Sequence, residues 1–242
     1  MSGHSKWAQI KRQKGANDAK RGLAFTKLSA AITIAVKQGG GIGDPNQNFR
    51  LRLAVDAARA QNMPKENIER AIQRAAGKDA AAMEEAMYEG FGPSGVSIIV
   101  EAATDNKNRT TGDVNNIFNK NGGNMGQPGS VSYQFKQMGR IIVDKNGKTL
   151  DDIFLLAADA GAEDVEDVDT EVFVYTQPGS LNKVREALMA AGLAVKEVEL
   201  MWKPLTPVTV DGEEAQQKVI SLLDKLEELD DVQKVYSNFD IQ

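Results

Sequence analysis

Apolar side chains recur at helical spacing through the first third of the chain, in three successive stripes. The first stripe follows Asp18, which suits a helix N-cap, and ends before the run Gly39-Gly40-Gly41. Asp44-Pro45 predicts the start of a second helix, and Pro64 that of a third. The i, i+3, i+4, i+7 positions are Leu28, Ala31, Ile32 and Ala35, then Leu51, Ala54, Val55 and Ala58, then Ile68, Ala71, Ile72 and Ala75. Three short amphipathic helices can cover one another's apolar faces, so we expect a three-helix bundle.

Beyond residue 80 the pattern changes to strands that alternate with helices. An apolar residue at every second position marks a strand at Val96, Ile98 and Val100. The turn at residues 92–95 predicts a hairpin between this strand and residues 86–91. Helical spacing returns at Val114, Ile117 and Phe118. A further strand is predicted over residues 131–135.

A complete β-α-β-β-α-β series follows, which is the ferredoxin-like order. Its strands are predicted near residues 139–144, 163–168, 171–176 and 194–201. Its two helices carry Ile153, Leu156, Ala157 and Ala160, then Leu181, Val184, Leu188 and Ala191. After the proline-marked stretch 202–207, a last helix and a last strand lie at Val219, Leu222, Leu223 and Leu226, and near Val232 to Tyr236.

These elements predict an α+β protein with one domain inserted into another. The N-terminal three-helix bundle is expected to be followed by two ferredoxin-like α+β domains. The predicted boundaries are a basic helical domain at 1–78, an α+β domain at 79–136 plus 204–242, and an inserted ferredoxin-like α+β domain at 137–203.

Composition removes several kinds of chemistry. The chain has no cysteine and one histidine, His4, so disulfides, thiol nucleophiles and Cys/His zinc sites are excluded, and a Ser-His-acid triad is nearly so. The acidic run at residues 163–169 lacks the spacing and glycine of a calcium loop, and we expect it on the solvated face of two strands. We therefore expect no enzyme, no cofactor and no metal.

No apolar stretch approaches the roughly 18–20 residues that a membrane span requires. The N-terminus is basic but lacks the apolar core of a secretory signal. A cytoplasmic protein without a membrane partner is the expectation. The length and the absence of a long heptad run favour a monomer.

The net charge of −5 hides a strong asymmetry between the two ends of the chain. Residues 1–78 contain 15 Lys and Arg against 5 Asp and Glu, a net charge of +10, whereas residues 79–242 contain 14 against 29, a net charge of −15. This division indicates a basic segment that contacts phosphates and an acidic body that does not.

The positive charge is concentrated further within that segment. Seven cations lie within 22 residues and are opposed only by Asp18: Lys6, Lys11, Arg12, Lys14, Lys20, Arg21 and Lys27. If residues 6–14 are helical, Trp7 shares a face with Lys11 and Lys14, which would set an aromatic ring for a base or ribose beside two cations for phosphates. Alternatively, Trp7 anchors this N-terminal segment to the helical bundle, and the lysines are simply solvated.

A second candidate site is the segment 104–111 between a strand and a helix. Such junctions are rich in backbone N–H donors, and Lys107 with Arg109 would favour an anion there. Asp105 or Asn106 could equally serve only as a helix cap.

Several motifs together resemble the YebC family, also called the YebC/PmpR family, along essentially the whole chain. The motifs are Gly3-His4-Ser5-Lys6-Trp7 with Ile10, Lys11 and Lys14, then Asp18-Ala19-Lys20-Arg21, residues 62–72 (NMPKENIERAI), residues 88–93 (YEGFGP) and residues 104–110 (TDNKNRT). Ala30 and Ala31 stand where relatives often carry charged side chains, so the binding surface is not extended to that turn.

The resemblance implies an N-terminal helical domain followed by two α+β domains, one inserted in the other. It also implies a role in gene expression. Bacterial members are generally described as DNA-binding transcriptional regulators, whereas the mitochondrial branch acts as a translational activator. Related members are linked to ribosomes that stall on proline-rich sequence.

Two nucleic-acid hypotheses follow. In the first, the basic helices bind duplex DNA and regulate transcription, although no helix begins with base-reading side chains. In the second, the basic N-terminal segment binds ribosomal RNA or tRNA and the acidic domains face basic ribosomal proteins, which suits the charge asymmetry better.

Two alternatives of other classes remain, an enzyme that uses carboxylates between domains and a pure protein scaffold. A scaffold would keep its partners after nuclease treatment.

The first test replaces five cations of the N-terminal cluster with alanine: Lys6, Lys11, Lys14, Lys20 and Arg21. Because each neutralised phosphate releases counterions, the slope of log affinity against log salt should flatten by roughly 0.7–0.9 for each phosphate that is no longer neutralised. The thermal midpoint should stay nearly unchanged. An unaltered slope would exclude the cluster as the phosphate-binding surface.

Overall fold

The computed structural model describes residues 18–77 and 83–240, with side chains from residue 22 onwards. The chain forms two compact units. The outer unit comprises residues up to 135 together with residues from 204 onwards, and the inserted unit comprises Lys136–Lys203. The architecture is α+β, with N-terminal helices followed by two β-sheet units, as the sequence predicts.

Seven helices and ten strands are assigned within the described residues. The helices are α1 (Asp18–Gln38), α2 (Phe49–Ala60), α3 (Lys65–Ala76), α4 (Lys107–Lys120), α5 (Leu150–Ala160), α6 (Leu181–Ala190) and α7 (Glu213–Glu227). The strands are β1 (Glu84–Phe91), β2 (Ser97–Thr104), β3 (Asn124–Met125), β4 (Phe135–Asp144), β5 (Asp164–Val168), β6 (Glu171–Thr176), β7 (Ala194–Pro204), β8 (Val208–Thr209), β9 (Val232–Ser237) and β10 (Phe239–Asp240).

The three N-terminal helices bury the apolar stripes that the sequence predicts, except that Ala31 of the first stripe is only half-buried and is not part of their core. Helix α1 packs against both α2 and α3. Their shared core consists of Ile32, Ala35, Val36, Leu51, Val55, Ala58, Met63, Ile68, Ala71 and Ala75. The stripe residues Leu28, Ala54 and Ile72 lie at the edge of this core, where they are partly buried.

The start of α2 differs from the expectation at Asp44-Pro45. Helix α2 begins at Phe49, and its N-cap is Asn48, whose side chain accepts a hydrogen bond from the amide of Leu51 at 3.1 Å. Asn48 also donates to the carbonyl of Ala35 at 2.8 Å, so one buried amide caps α2 and holds it to the end of α1. Asp44 instead accepts from the amide of Asn46 and closes the preceding turn.

The outer unit contains a four-stranded sheet in the order β3-β1-β2-β9. Strands β1 and β2 form the predicted antiparallel hairpin, and β2 also pairs with β9. Strand β2 is almost continuously buried, which is typical of a strand covered on both faces. Its Ala102 joins the core formed with α4 and α7, whereas its neighbour Ala103 contacts α1. Because successive side chains point to opposite faces, α1 covers one face of this sheet and α4 with α7 the other.

The inserted unit has the predicted β-α-β-β-α-β order. Its sheet runs β5-β6-β4-β7, with β6 antiparallel to both β4 and β5. Helix α5 starts with a capping box between Thr149 and Asp152, and it ends at Gly161, which adopts a left-handed φ of 103°. The acidic run at residues 163–169 lies on and around β5, at the edge of this sheet.

The sequence predicts a strand at residues 131–135, but hydrogen bonds to a buried carboxylate hold most of this segment in another conformation. Glu89 on β1 is only 2% exposed, and its carboxylate accepts hydrogen bonds from the backbone amides of Gly129, Val131 and Ser132 at 2.7–2.8 Å. The prediction is wrong for most of this segment, because these amides bond to a side chain rather than to a neighbouring strand. A short 3-10 turn occupies Ser132–Gln134, and β4 begins only at Phe135.

Replacing Glu89 with glutamine should destabilise the outer unit by about 2–4 kcal/mol, because an amide N–H group would then face backbone N–H donors in a buried place. Burial raises the pKa of Glu89, but the hydrogen bonds from Gly129, Val131 and Ser132 outweigh it and hold the pKa below its ordinary value. The carboxylate's stabilising contribution is therefore complete above about pH 4.5 and is lost as the pH falls through the lower folded-state pKa. Urea unfolding at several pH values measures both effects.

The matched control is Glu84→Gln, because Glu84 is an exposed glutamate on the same strand. It should change the free energy of unfolding by less than about 0.5 kcal/mol. Equal destabilisation by the two variants at neutral pH would contradict the role assigned to Glu89.

Candidate nucleic-acid interface

The sequence-predicted binding residues fall into three groups. Five of them lie outside the described residues: Lys6, Trp7, Lys11, Arg12 and Lys14. The backbone places Lys20 and Arg21 near the start of α1. Lys27, Lys107 and Arg109 have described side chains and can be located in detail.

Lys27 lies on the part of α1 that meets the α+β body of the outer unit. Its ammonium group donates a hydrogen bond to the backbone carbonyl of Glu227, the last residue of α7. A cation at this position is favoured because the last carbonyls of a helix carry partial negative charge. The observed contact therefore joins two elements of the fold, and a nucleic-acid contact by Lys27 stays a prediction.

The exposed charged residues of α2 and α3 are called the basic solvent face here, and the sequence analysis did not single them out. They are five cations, Arg50, Arg59, Lys65, Arg70 and Arg74, and three carboxylates, Asp56, Glu66 and Glu69. Arg59 lies 3.5 Å from Asp56 and Lys65 lies 3.5 Å from Glu69. All four side chains are more than half exposed, so these pairs contribute little to stability and can rearrange when a phosphate approaches.

Arg70 and Arg74 are exposed on α3, one helical turn apart. Neither makes an ion pair within residues 18–77 and 83–240. Like charges at this spacing repel one another, whereas Glu66, one turn before Arg70, and the position of Arg74 in the last turn of the helix offset that repulsion. The helix buries Ile68, Ala71 and Ala75, which leaves both guanidinium groups on the side away from the core.

The segment 104–111 is confirmed as a strand-to-helix junction. Asn106 is the N-cap of α4, and its side chain accepts from the amide of Arg109 at 3.1 Å. Lys107 begins the helix, and its ammonium group forms no ion pair among the described residues. The structure therefore assigns capping to Asn106 and leaves Lys107 exposed to solvent.

Arg109 is held by two carboxylates. Its guanidinium group donates to Asp105 at 2.9 Å and to Asp231 at 2.8 Å. Asp231 also accepts from the hydroxyl groups of Thr110 at 2.6 Å and Thr104 at 3.2 Å. Burial raises the pKa of Asp231, but the hydrogen bonds from Thr110 and Arg109 outweigh it and lower the pKa. Arg109 thus forms part of a network that joins the end of β2, the start of α4 and the turn before β9.

The sequence reasoning missed Asp231. It lies 122 residues from Arg109 in the sequence, in the segment between α7 and β9. It stands next to Asp230 and resembles any acidic turn, so no local pattern marks it. Only the pairing of β9 with β2 brings it to the junction.

None of the seven described helices combines the length and the hydropathy that a membrane span requires. The architecture is a set of N-terminal helices followed by two β-sheet units. Comparison of the sequence with known families identifies the class of protein that has this architecture. Residues 5–78 match the N-terminal domain of the TACO1/YebC protein, and residues 83–239 match the TACO1/YebC second and third domain. The chain therefore belongs to the TACO1/YebC family, as the sequence motifs indicate.

Known relatives cover the chain from end to end. A relative from Chloroflexus aggregans is 53% identical over 244 residues, covering all of this chain and 96% of its own, and is named "Probable transcriptional regulatory protein". A relative from Geobacter sulfurreducens with the same descriptive name is 50% identical over 242 residues, with the same coverage. The crystal structure of a conserved hypothetical protein from Aquifex aeolicus is 44% identical, with a TM-score of 0.89 over 98% of each chain.

The different surroundings of Lys107 and Arg109 can be tested by replacing each with alanine. Both changes remove one positive charge. We expect Arg109→Ala to lower the thermal midpoint, because Asp231 loses its cation, whereas Lys107→Ala should leave the midpoint unchanged and weaken nucleic-acid binding. Thermal unfolding and an oligonucleotide titration measure the two effects. Identical midpoints for the two variants would show that the Arg109 network has no structural role.

Proposed function

We propose that this chain is a non-enzymatic, nucleic-acid-binding regulator of gene expression that acts in the cytoplasm as a monomer. The observation that carries the proposal is the separation of charge, with +10 in residues 1–78 and −15 in the remainder. Names of relatives as probable transcriptional regulatory proteins support a regulatory role. The proposed contact surface is the N-terminal cluster together with the exposed cations of α2 and α3 and with Lys107 at the start of α4.

The geometry of α3 supports this surface. Arg70 and Arg74 repel each other in the free protein, and no described carboxylate is paired with either. A nucleic-acid backbone would relieve that repulsion, because each guanidinium group can bind a phosphate through two N–H donors. Both guanidinium groups can therefore bind phosphates without breaking an ion pair of the described residues.

A role in translation is the second candidate, and the acidic body favours it. A long DNA duplex carries negative charge on both sides of a binding site and would meet repulsion from the body. On a ribosome, the basic segment would contact ribosomal RNA or tRNA while the acidic surface faces basic proteins.

The decisive experiment is ultraviolet crosslinking in cells followed by sequencing of the attached nucleic acid. Discrete promoter DNA would support a transcriptional regulator, and ribosomal RNA or tRNA would support a translation factor. Recovery of no nucleic acid above a crosslink-free control would reject the proposal. Partners that persist after nuclease treatment would indicate a protein scaffold instead.

The contact surface itself is tested by the double variant Arg70→Ala and Arg74→Ala. If both arginines contact phosphates, the slope of log affinity against log salt should fall by about 1.4–1.8. The thermal midpoint should stay nearly the same, because both side chains are exposed and neither forms an ion pair among the described residues. Fluorescence anisotropy with labelled RNA and DNA across a salt series provides the measurement.

The matched control removes two exposed lysines from the acidic body, Lys183 on α6 and Lys218 on α7. This change alters the net charge equally but should leave the salt slope as it is. If both double variants shift the slope by the same amount, the effect reflects overall charge and not a surface on α3.

A further inference from the structure

The segment that contains Tyr133 stands out because none of its own side chains is charged. Residues 121–134 contain no Asp, Glu, Lys, Arg or His, although 26% of the chain is charged and about four charged residues would be expected in such a length. The segment is instead rich in glycine, in amide side chains and in hydroxyl groups. Part of it, residues 126–134, connects β3 to β4 and is called the Tyr133 loop here.

The backbone of the Tyr133 loop is fixed on both sides of the tyrosine. On one side, Glu89 binds the amides of residues 129, 131 and 132. On the other side, the Gln134 carbonyl accepts from the amide of Leu205 at 2.8 Å, and its side-chain oxygen accepts from the buried Asn238 at 3.2 Å. Tyr133 therefore sits between two anchored residues.

The tyrosine nevertheless points into solvent. Its relative exposure is 70%, the largest among the exposed large hydrophobic side chains of the described residues. Its hydroxyl group accepts from the side chain of Gln134 at 3.1 Å, and its anchored neighbour Leu205 is 60% exposed. Gln127, Pro128 and Gly129 are also exposed. The fold thus exposes an aromatic ring to solvent on a backbone that is anchored on both sides. In this position the ring adds nothing to the buried core of either unit.

We propose that the Tyr133 loop binds the unpaired bases of a single-stranded nucleic acid, with Tyr133 as the stacking platform. This inference rests on the proposed function and names the part of the ligand that a second surface recognises. A base stacks on an exposed aromatic ring whatever its identity, and neighbouring amide and hydroxyl groups can bond to base edges. The absence of charge suits contact with bases, whereas phosphates are met by the basic helices.

Duplex bases are not available to this surface, because they are already stacked and paired. A protein partner is the competing occupant, since tyrosine is common in protein interfaces. The observations favour bases, because such an interface would need a larger apolar centre than one tyrosine and one leucine surrounded by polar side chains.

The test compares wild-type protein with Tyr133→Ala and Tyr133→Phe on RNA and DNA single strands of about a dozen nucleotides, and on a duplex. Removal of the stacking ring should weaken single-strand binding at least about fivefold for Tyr133→Ala. Tyr133→Phe keeps the ring and should bind nearly as wild type does. Neither variant should change the salt slope or the affinity for duplex, and the relative loss on RNA and on DNA identifies the source of the bases.

The control is Phe154→Ala, which removes another exposed aromatic ring, 50% exposed, from the inserted unit. Equal single-strand affinities of wild type and Tyr133→Ala, or the same loss in Phe154→Ala, would overturn the stacking role while leaving the proposed function intact. If wild type, Tyr133→Phe and Phe154→Ala bind a protein partner that Tyr133→Ala does not bind, and nucleic-acid binding is unchanged, the loop is a binding site for a protein instead. If wild type binds neither single strands nor duplex at low salt, the proposed function itself fails.

Discussion

Burial of helix α1 on two sides is the constraint on which the outer unit depends. One side, with Ile32 and Val36, packs into the core of the N-terminal helices. The other side, with Ala30 and Ile34, packs on Ala103 of the central strand β2. Ala30 and Ala103 have small side chains, so the helix and the sheet can approach closely at this contact. A helix with apolar side chains on two sides has to be covered on both sides. Here α2 and α3 cover one side of α1, and the sheet covers the other.

This arrangement gives the charge separation a fixed direction within the outer unit. The basic helices cannot move independently of the acidic α+β body of that unit while α1 is shared between them. Further contacts tie α1 to the body, among them the hydrogen bond from Lys37 to the carbonyl of Met83 at 2.8 Å and the one from Gln38 to Glu85. Under the proposed function, a polyanion is attracted to one side of such a unit and repelled by the other, so electrostatics selects the orientation of approach before any specific contact forms.

Sequence periodicity predicted the elements whose burial is decided locally. The apolar stripes of α2 and α3, the hairpin at residues 92–95 and the β-α-β-β-α-β series are all present, since each of them follows from a repeat of 3.6 or 2 residues. The second buried side of α1 was missed because one stripe was assumed to suffice, although Ala30 and Ile34 carry the signal.

The errors have a different cause, since they involve single polar side chains that act across the fold. Glu89 replaces strand pairing for residues 129–132, Asn48 displaces Asp44 as the cap of α2, and Asp231 engages Arg109 from a distant segment. A carboxylate or amide that is buried by tertiary contacts has the same local sequence as one in solvent. Its partners become visible only when the strands and helices are assembled.

Under the proposed function, charge and shape have separate tasks in this molecule. Ionic contacts from flexible arginines and lysines supply affinity that depends on salt and is indifferent to base identity or pairing. Discrimination between paired and unpaired nucleic acid requires a rigid surface, since a mobile ring would lose on ordering much of what it gains by stacking. The buried carboxylate of Glu89 provides that rigidity at the Tyr133 loop, because a charged acceptor that is surrounded by three amides resists local opening more strongly than a neutral turn does. A buried charge on the outer sheet thus acts on a segment that has no charge of its own.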